Sequence, residues 1–119
     1  MKLLRKDVLK WIRALKSGQY RKGTGKLVSD DGKKFCCLGV WADMHGAEWE
    51  TQHGHYLVPF IGKEVVTKQD GQWGFLEDPR LQKGLSKGYQ IELAKINDDS
   101  KGFGKVIAYI QKEVLPKAK

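Results

Sequence analysis

Cysteine and proline are scarce in this chain, with two and three copies among 119 residues, and each scarcity removes a class of protein. Cys36 and Cys37 are adjacent; neighbouring cysteines rarely bridge and would close almost no loop, so the chain is not a disulfide scaffold. Pro59, Pro79 and Pro116 are scattered, and no repeat, low-complexity tract or linker separates them, so residues 1–119 are expected to form one domain. No stretch reaches the roughly 18 apolar residues of a membrane span. Arg5, Lys6, Asp7 and Lys10 break up the N-terminal apolar residues, which excludes a secretory signal core and makes a cytoplasmic location the expectation, with no membrane partner. There is no CxxC, no HExxH, no phosphate-loop glycine spacing and no dinucleotide fingerprint. No metal and no cofactor is therefore expected.

What is present is a foldable composition: 40% hydrophobic and 30% charged residues, with four each of Trp, Tyr and Phe, too aromatic for a disordered chain. The formal charge is +8, and it is localised. Residues 1–34 carry eleven cations against three carboxylates, which accounts for the whole excess, while the rest of the chain is neutral. A local excess reads as a footprint for something anionic, such as nucleic acid, a nucleotide or an acidic protein face. The plain alternative is a solvated outer face on the first helix.

Leu4, Val8, Trp11, Ile12 and Leu15 predict a first helix stopped at Ser17-Gly18. Lys26 to Ser29 and Lys34 to Cys36, around Asp30-Asp31-Gly32, predict a hairpin. Leu38, Val40, Trp41 and Met44 predict a short buried helix ended by Gly46. Strands are expected at Tyr56 to Val58, Val65 to Thr67 and Trp73 to Leu76, and one helical turn between 77 and 88. A short helix from Tyr89 should end at Asn97-Asp98-Asp99, with an aspartate of that run or Ser100 capping a last helix whose stripe is Phe103, Val106, Ile107, Ile110 and Val114. Helices at both ends and strands between them give an α+β class, a small antiparallel sheet packed by the N- and C-terminal helices.

Several groups of residues could carry chemistry. A thiol of Cys36 or Cys37 near Lys33 and Lys34 could be a nucleophile with His45, His53 or His55 as base, although the apolar run Phe35 to Leu38 reads more simply as core. His53 and His55, with Glu50 or a cysteine, give only two firm ligands for a metal. The strongest binding signal is the segment Tyr20, Arg21, Lys22, Gly23, Thr24, Gly25, Lys26. Its two glycines let backbone amides approach a ligand, its cations can grip phosphate, and the Tyr20 ring could stack on a base. The first helix offers phosphate-type lysines rather than base-reading residues, so sequence-specific readout is not expected.

The stretch Ser17 to Leu27 (Ser-Gly-x-Tyr-x-x-Gly-x-Gly-x-Leu), Cys-Cys-Leu-Gly-Val at 36–40 with Asp43, Leu93 to Asp98 (Leu-Ala-x-hydrophobic-Asn-Asp) and the amphipathic Phe103 to Val114 together resemble a family of small accessory proteins of tailed bacteriophages and prophages. Residues 47–88 lie outside the resemblance. It implies a phage origin and a host-directed role and carries no particular reaction. Combined with the basic segment, it leads to the expectation of a non-enzymatic protein that binds a nucleotide second messenger or nucleic acid in host takeover or counter-defence inside the bacterial cell. Two alternatives stay open: an inhibitor that occludes a host protein, with Trp49 or Trp73 as anchors, and a small cysteine-dependent hydrolase. The sequence leaves a homo-oligomer open.

Overall fold

The computed structural model describes residues 2–52, 56–62, 64–65 and 75–119. His53, His55, Val66, Thr67 and Trp73 therefore lie outside the described residues. The chain forms α1 (Arg5–Lys16), β1 (Arg21–Lys22), β2 (Lys34–Phe35), α2 (Cys37–Met44), β3 (Glu48–Gln52), β4 (Tyr56–Ile61), β5 (Glu64–Val65), α3 (Pro79–Gln82), α4 (Lys87–Asp98) and α5 (Gly104–Tyr109). The last helix runs on through a π-helical turn, Ile110–Val114, and a 3-10 turn, Leu115–Lys117. The class is α+β, with terminal helices flanking the strands.

Strands are divided between two small sheets. β1 and β2 pair in parallel, while β3, β4 and β5 form an antiparallel meander. The expected hairpin at 26–36 shrinks to one antiparallel bridge, Val28 to Phe35, plus the Ser29 N–H donating to the Lys34 carbonyl. β2 spends its other edge on β1. Strand β3 carries a weak signal in the sequence because Trp49 is the one apolar residue in Glu48–Gln52.

The centre of the molecule is helical. α1 packs on α2, α2 on α4, α4 on α5, and the C-terminal turns return to α1, so the Phe103 to Val114 stripe buries against helices rather than against a sheet. α1 carries Asp7 in its first turn and Arg13 and Lys16 in its last, matching the helix dipole. Its buried face is Val8, Trp11, Ile12 and Leu15, and it ends where Gly18 takes a φ of 80°. Trp11 and Trp41, both fully buried, meet edge to face at 4.8 Å. Their indole N–H groups donate to the Cys37 carbonyl at 3.0 Å and the Leu81 carbonyl at 2.8 Å, so neither ring brings an unmet polar atom into the core.

α2 sits closest to its neighbours. A Cβ at Gly39 would overlap the Leu27 carbonyl oxygen, so glycine sets how near this helix lies to the 20s segment. Cys36 caps α2 through its Sγ, which accepts the Gly39 N–H. Asp78 caps α3, with Pro79 in the first turn, and Ser86 caps α4. The expected cap of α5 by Asp98, Asp99 or Ser100 does not form: the helix has no side-chain cap, Ser100 Oγ donates back to the Ile96 carbonyl, and Asp98 is used elsewhere. Among the described residues, no helix is long and apolar enough to cross a membrane.

Candidate functional site

The 20–26 segment lies where three distant stretches meet. Asn97, fully buried on α4, accepts the Cys37 N–H on its Oδ1 at 3.1 Å and donates from Nδ2 to the Gly23 carbonyl at 2.9 Å. Asp98 Oδ1 accepts the Gly25 N–H at 3.0 Å, and the Gly23 N–H donates to the Phe35 carbonyl at 2.8 Å. The Ser17 to Leu27, Cys36 to Val40 and Leu93 to Asp98 stretches are thus one hydrogen-bonded joint.

That joint corrects the expected chemistry of the glycines. The amide groups of Gly23 and Gly25 are satisfied within the chain, and one of their partners is a carboxylate, so they do not form a phosphate-cradling nest. Gly23 serves a packing need instead: a Cβ there would come within 3.0 Å of the Lys34 Cβ.

Tyr20 likewise turns inward. Its hydroxyl donates to Asp43 Oδ2 at 2.5 Å, and its ring stands edge-on to Phe35 at 5.0 Å. Burial, then the hydrogen bond to Asp43 and that carboxylate's charge, push the phenol well above its usual range. Trp49 completes the cluster, edge-on to Phe35 at 6.0 Å and donating its indole N–H to Asp43 Oδ1 at 3.0 Å. Tyr20 is not an open stacking platform and Trp49 is not a free anchor.

The cysteines are core. Both are buried, Cys36 Sγ is the helix cap and Cys37 Sγ faces the Leu93 carbonyl at 3.8 Å. Burial drives the Cys36 thiol up to about 11 and the Cys37 thiol well above its ordinary value. Burial thus disfavours the reactive thiolate at both positions, and both side chains are spent inside the core. His45, at the end of α2, is bonded to the Trp41 carbonyl rather than to a cysteine. No group of three or more potential ligands gathers into a metal site among the described residues.

What faces outward is cationic. In the parallel pair, Arg21 stands beside Lys34 and Lys22 beside Phe35. Strand alternation puts Arg21, Lys34 and the bare backbone of Gly23 on one face and Tyr20, Lys22 and Phe35 on the other. Arg21 and Lys34 are exposed, Lys22 and Phe35 half-buried. Lys26 is spoken for, ion-paired to Asp30 at 2.7 Å. Of the eleven cations before residue 35, Lys26 is the one in an ion pair among the described residues. Lys34 was missed as a site residue because nothing local in the sequence shows that it will pair with Arg21, thirteen positions away.

No curated protein and no solved structure matches the chain. The family model that does match covers residues 4–114, from α1 through the π-helical turn, and the protein belongs to the family described as Domain of unknown function (DUF8296).

Proposed function

We propose that this protein is a phage-type accessory protein that binds the phosphodiester backbone of a nucleic acid, without chemistry, on the outer face of the β1 and β2 pair. The observation that carries this reading is the side-by-side placement of Arg21 and Lys34. Both are exposed, and neither has a carboxylate within ion-pair distance among the described residues. Neighbouring strands lie about 4.8 Å apart, and like charges directly opposite destabilise a strand pair. The hydrogen bonds and ring contacts of the joint behind the pair hold it in spite of that cost, and a bound phosphate would relieve it. Gly23, packed against Lys34 on the same face, adds no side chain of its own there.

The same geometry narrows the ligand. With Tyr20 on the opposite face, no ring accompanies the cations among the described residues, so phosphate rather than base is recognised, and a nucleic-acid backbone fits better than a base-specific nucleotide messenger. The host-directed, counter-defence role comes from the resemblance to phage accessory proteins, to which a backbone binder of this size is suited. Fluorescence anisotropy with a short labelled single strand tests the reading. Binding that weakens steeply with salt, and is lost in Arg21→Glu/Lys34→Glu with the fold intact, supports it. Tighter binding of a cyclic dinucleotide than of the strand would move the assignment to a messenger. No binding of either at low salt would favour an inhibitor of a host protein.

A further inference from the structure

A second cationic cluster lies outside the 20–26 segment. Lys2, Leu4, Lys6, Asp7, His45 and Lys83 line an open cleft of about 440 Å³. The lysines arrive from three directions: the extended residues before α1, the first turn of α1, and the turn after α3. That last turn is forced into place. Lys83 adopts a left-handed φ of 50°, the following Gly84 has a φ of 84°, and a Cβ on Gly84 would sit 2.5 Å from the Leu3 backbone nitrogen. Glycine at 84 therefore lets the turn press against residues 2 and 3, bringing Lys83 to Lys2. The Lys119 N–H, donating to the Leu3 carbonyl at 2.8 Å, holds the segment from the other side.

His45 forms the inner wall, its side chain only 10% exposed. Its Nδ1 lies 2.7 Å from the Trp41 carbonyl, which can only accept, so Nδ1 carries the proton. In the neutral ring Nε2 is then a bare acceptor, and it faces a second acceptor, Asp7 Oδ2, at 3.8 Å. Three lysines, one carboxylate and a neutral histidine leave the cleft with a net charge of two positive units. None of the three lysines is in an ion pair among the described residues.

We propose that this cleft is a binding site for a dianionic phosphate group, free or as a monoester, held by Lys2, Lys6 and Lys83 with His45 at its wall. The charge matches, the cleft accommodates one phosphate, and the lysines are ammonium donors on flexible stems that can close on it. An arriving dianion also favours a proton on Nε2, which would then sit between Asp7 and the ligand as a donor to either. Occupancy and proton uptake by His45 are linked, each strengthening the other. The charged groups facing His45 are Asp7, which favours that proton, and Lys83, which opposes it, with Lys2 and Lys6 farther along the lining.

The test is NMR of the full chain titrated with sodium phosphate against sodium chloride at matched ionic strength. Expected are saturable shifts of the Lys2, Lys83, Gly84 and His45 amides and an upward move of the His45 titration midpoint when phosphate is present. Lys2→Gln/Lys83→Asn should weaken binding by about tenfold or more, with undisturbed amide dispersion, since asparagine tolerates the left-handed turn. Lys2→Gln alone, at an exposed position, gives a second variant with no folding risk. Saturation by adenosine 5′-monophosphate as well assigns the site to a monoester, and saturation by inorganic phosphate alone assigns it to the free ion. Shifts reproduced by chloride, or wild-type affinity in both variants, would overturn the site. Neither probe is a polyanion, so the outcome is independent of nucleic-acid binding at Arg21 and Lys34.

Discussion

Tyr20 donates its hydroxyl to Asp43 across 23 residues of sequence, at 2.5 Å, and in doing so turns the aromatic ring of the basic segment away from solvent. The bond is to a charged acceptor in a half-buried setting, where removing the donor costs about 1 to 2 kcal/mol. Tyr20→Phe should therefore lower stability by that amount in chemical denaturation while leaving nucleic-acid affinity within a factor of about two. A large loss of affinity in a fully folded Tyr20→Leu protein would mean that the ring contacts ligand after all.

The buried Asn97 amide should matter more. Truncation to Ala leaves the Cys37 N–H and the Gly23 carbonyl without their partner, and two orphaned backbone groups together cost about 2 to 4 kcal/mol. Urea denaturation of Asn97→Ala reads this directly, and a loss below about 1 kcal/mol would show that water or a shifted loop takes over the amide's bonds.

Gly39→Ala asks whether the approach of α2 to the 20s segment is as tight as the structure has it. The added methyl meets the Leu27 carbonyl, which is backbone and cannot rotate aside, so destabilisation of about 3 kcal/mol is expected. Thermal melting near that of the parent would place α2 farther from Leu27.

Stability should also depend on pH through His45. Burial, opposed by the Trp41 carbonyl and Asp7 and assisted by Lys83, holds the imidazole below its ordinary 6.5 in the folded state. The unfolded chain then binds the proton more readily, so this group's contribution is complete above 6.5 and is lost as pH falls through that value toward the folded midpoint. Melting temperature should drop between neutral and mildly acid pH, and the drop should shrink in His45→Gln. Saturating phosphate should shrink it too, because it favours the charged ring in the folded protein. An equal drop in His45→Gln would assign the acid sensitivity to other groups.

Much of the helical frame was legible because its apolar positions repeat locally. Val8, Trp11, Ile12 and Leu15 announce α1, Leu38, Val40 and Trp41 announce α2, and the Phe103 to Val114 stripe announces the last helix with only its packing partner misjudged. The sheets were harder. The β1 and β2 pair is two residues long and parallel, and such a pairing has no local signature, whereas the reversal at Asp30 to Gly32 does and drew the hairpin reading. The basic segment was correctly marked as charged, but which of its groups would be spent internally depended on Asp43, Asn97 and Asp98, all remote in sequence. The Asn97-Asp98-Asp99-Ser100 run reads as a helix end followed by a cap because that is what those residue types do locally; only the tertiary joint shows Asn97 and Asp98 bracing the glycine segment instead.

The salt dependence of nucleic-acid binding tests the central claim most directly. For single strands the logarithmic slope falls by about 0.7 per phosphate contact, so Arg21→Gln/Lys34→Gln should flatten it by about 1.4 relative to the parent while thermal melting stays the same. That result would place two backbone phosphates on the β1 and β2 face. A slope identical to the parent's, at whatever affinity, would contradict the account and put the nucleic acid, if it binds at all, on another surface.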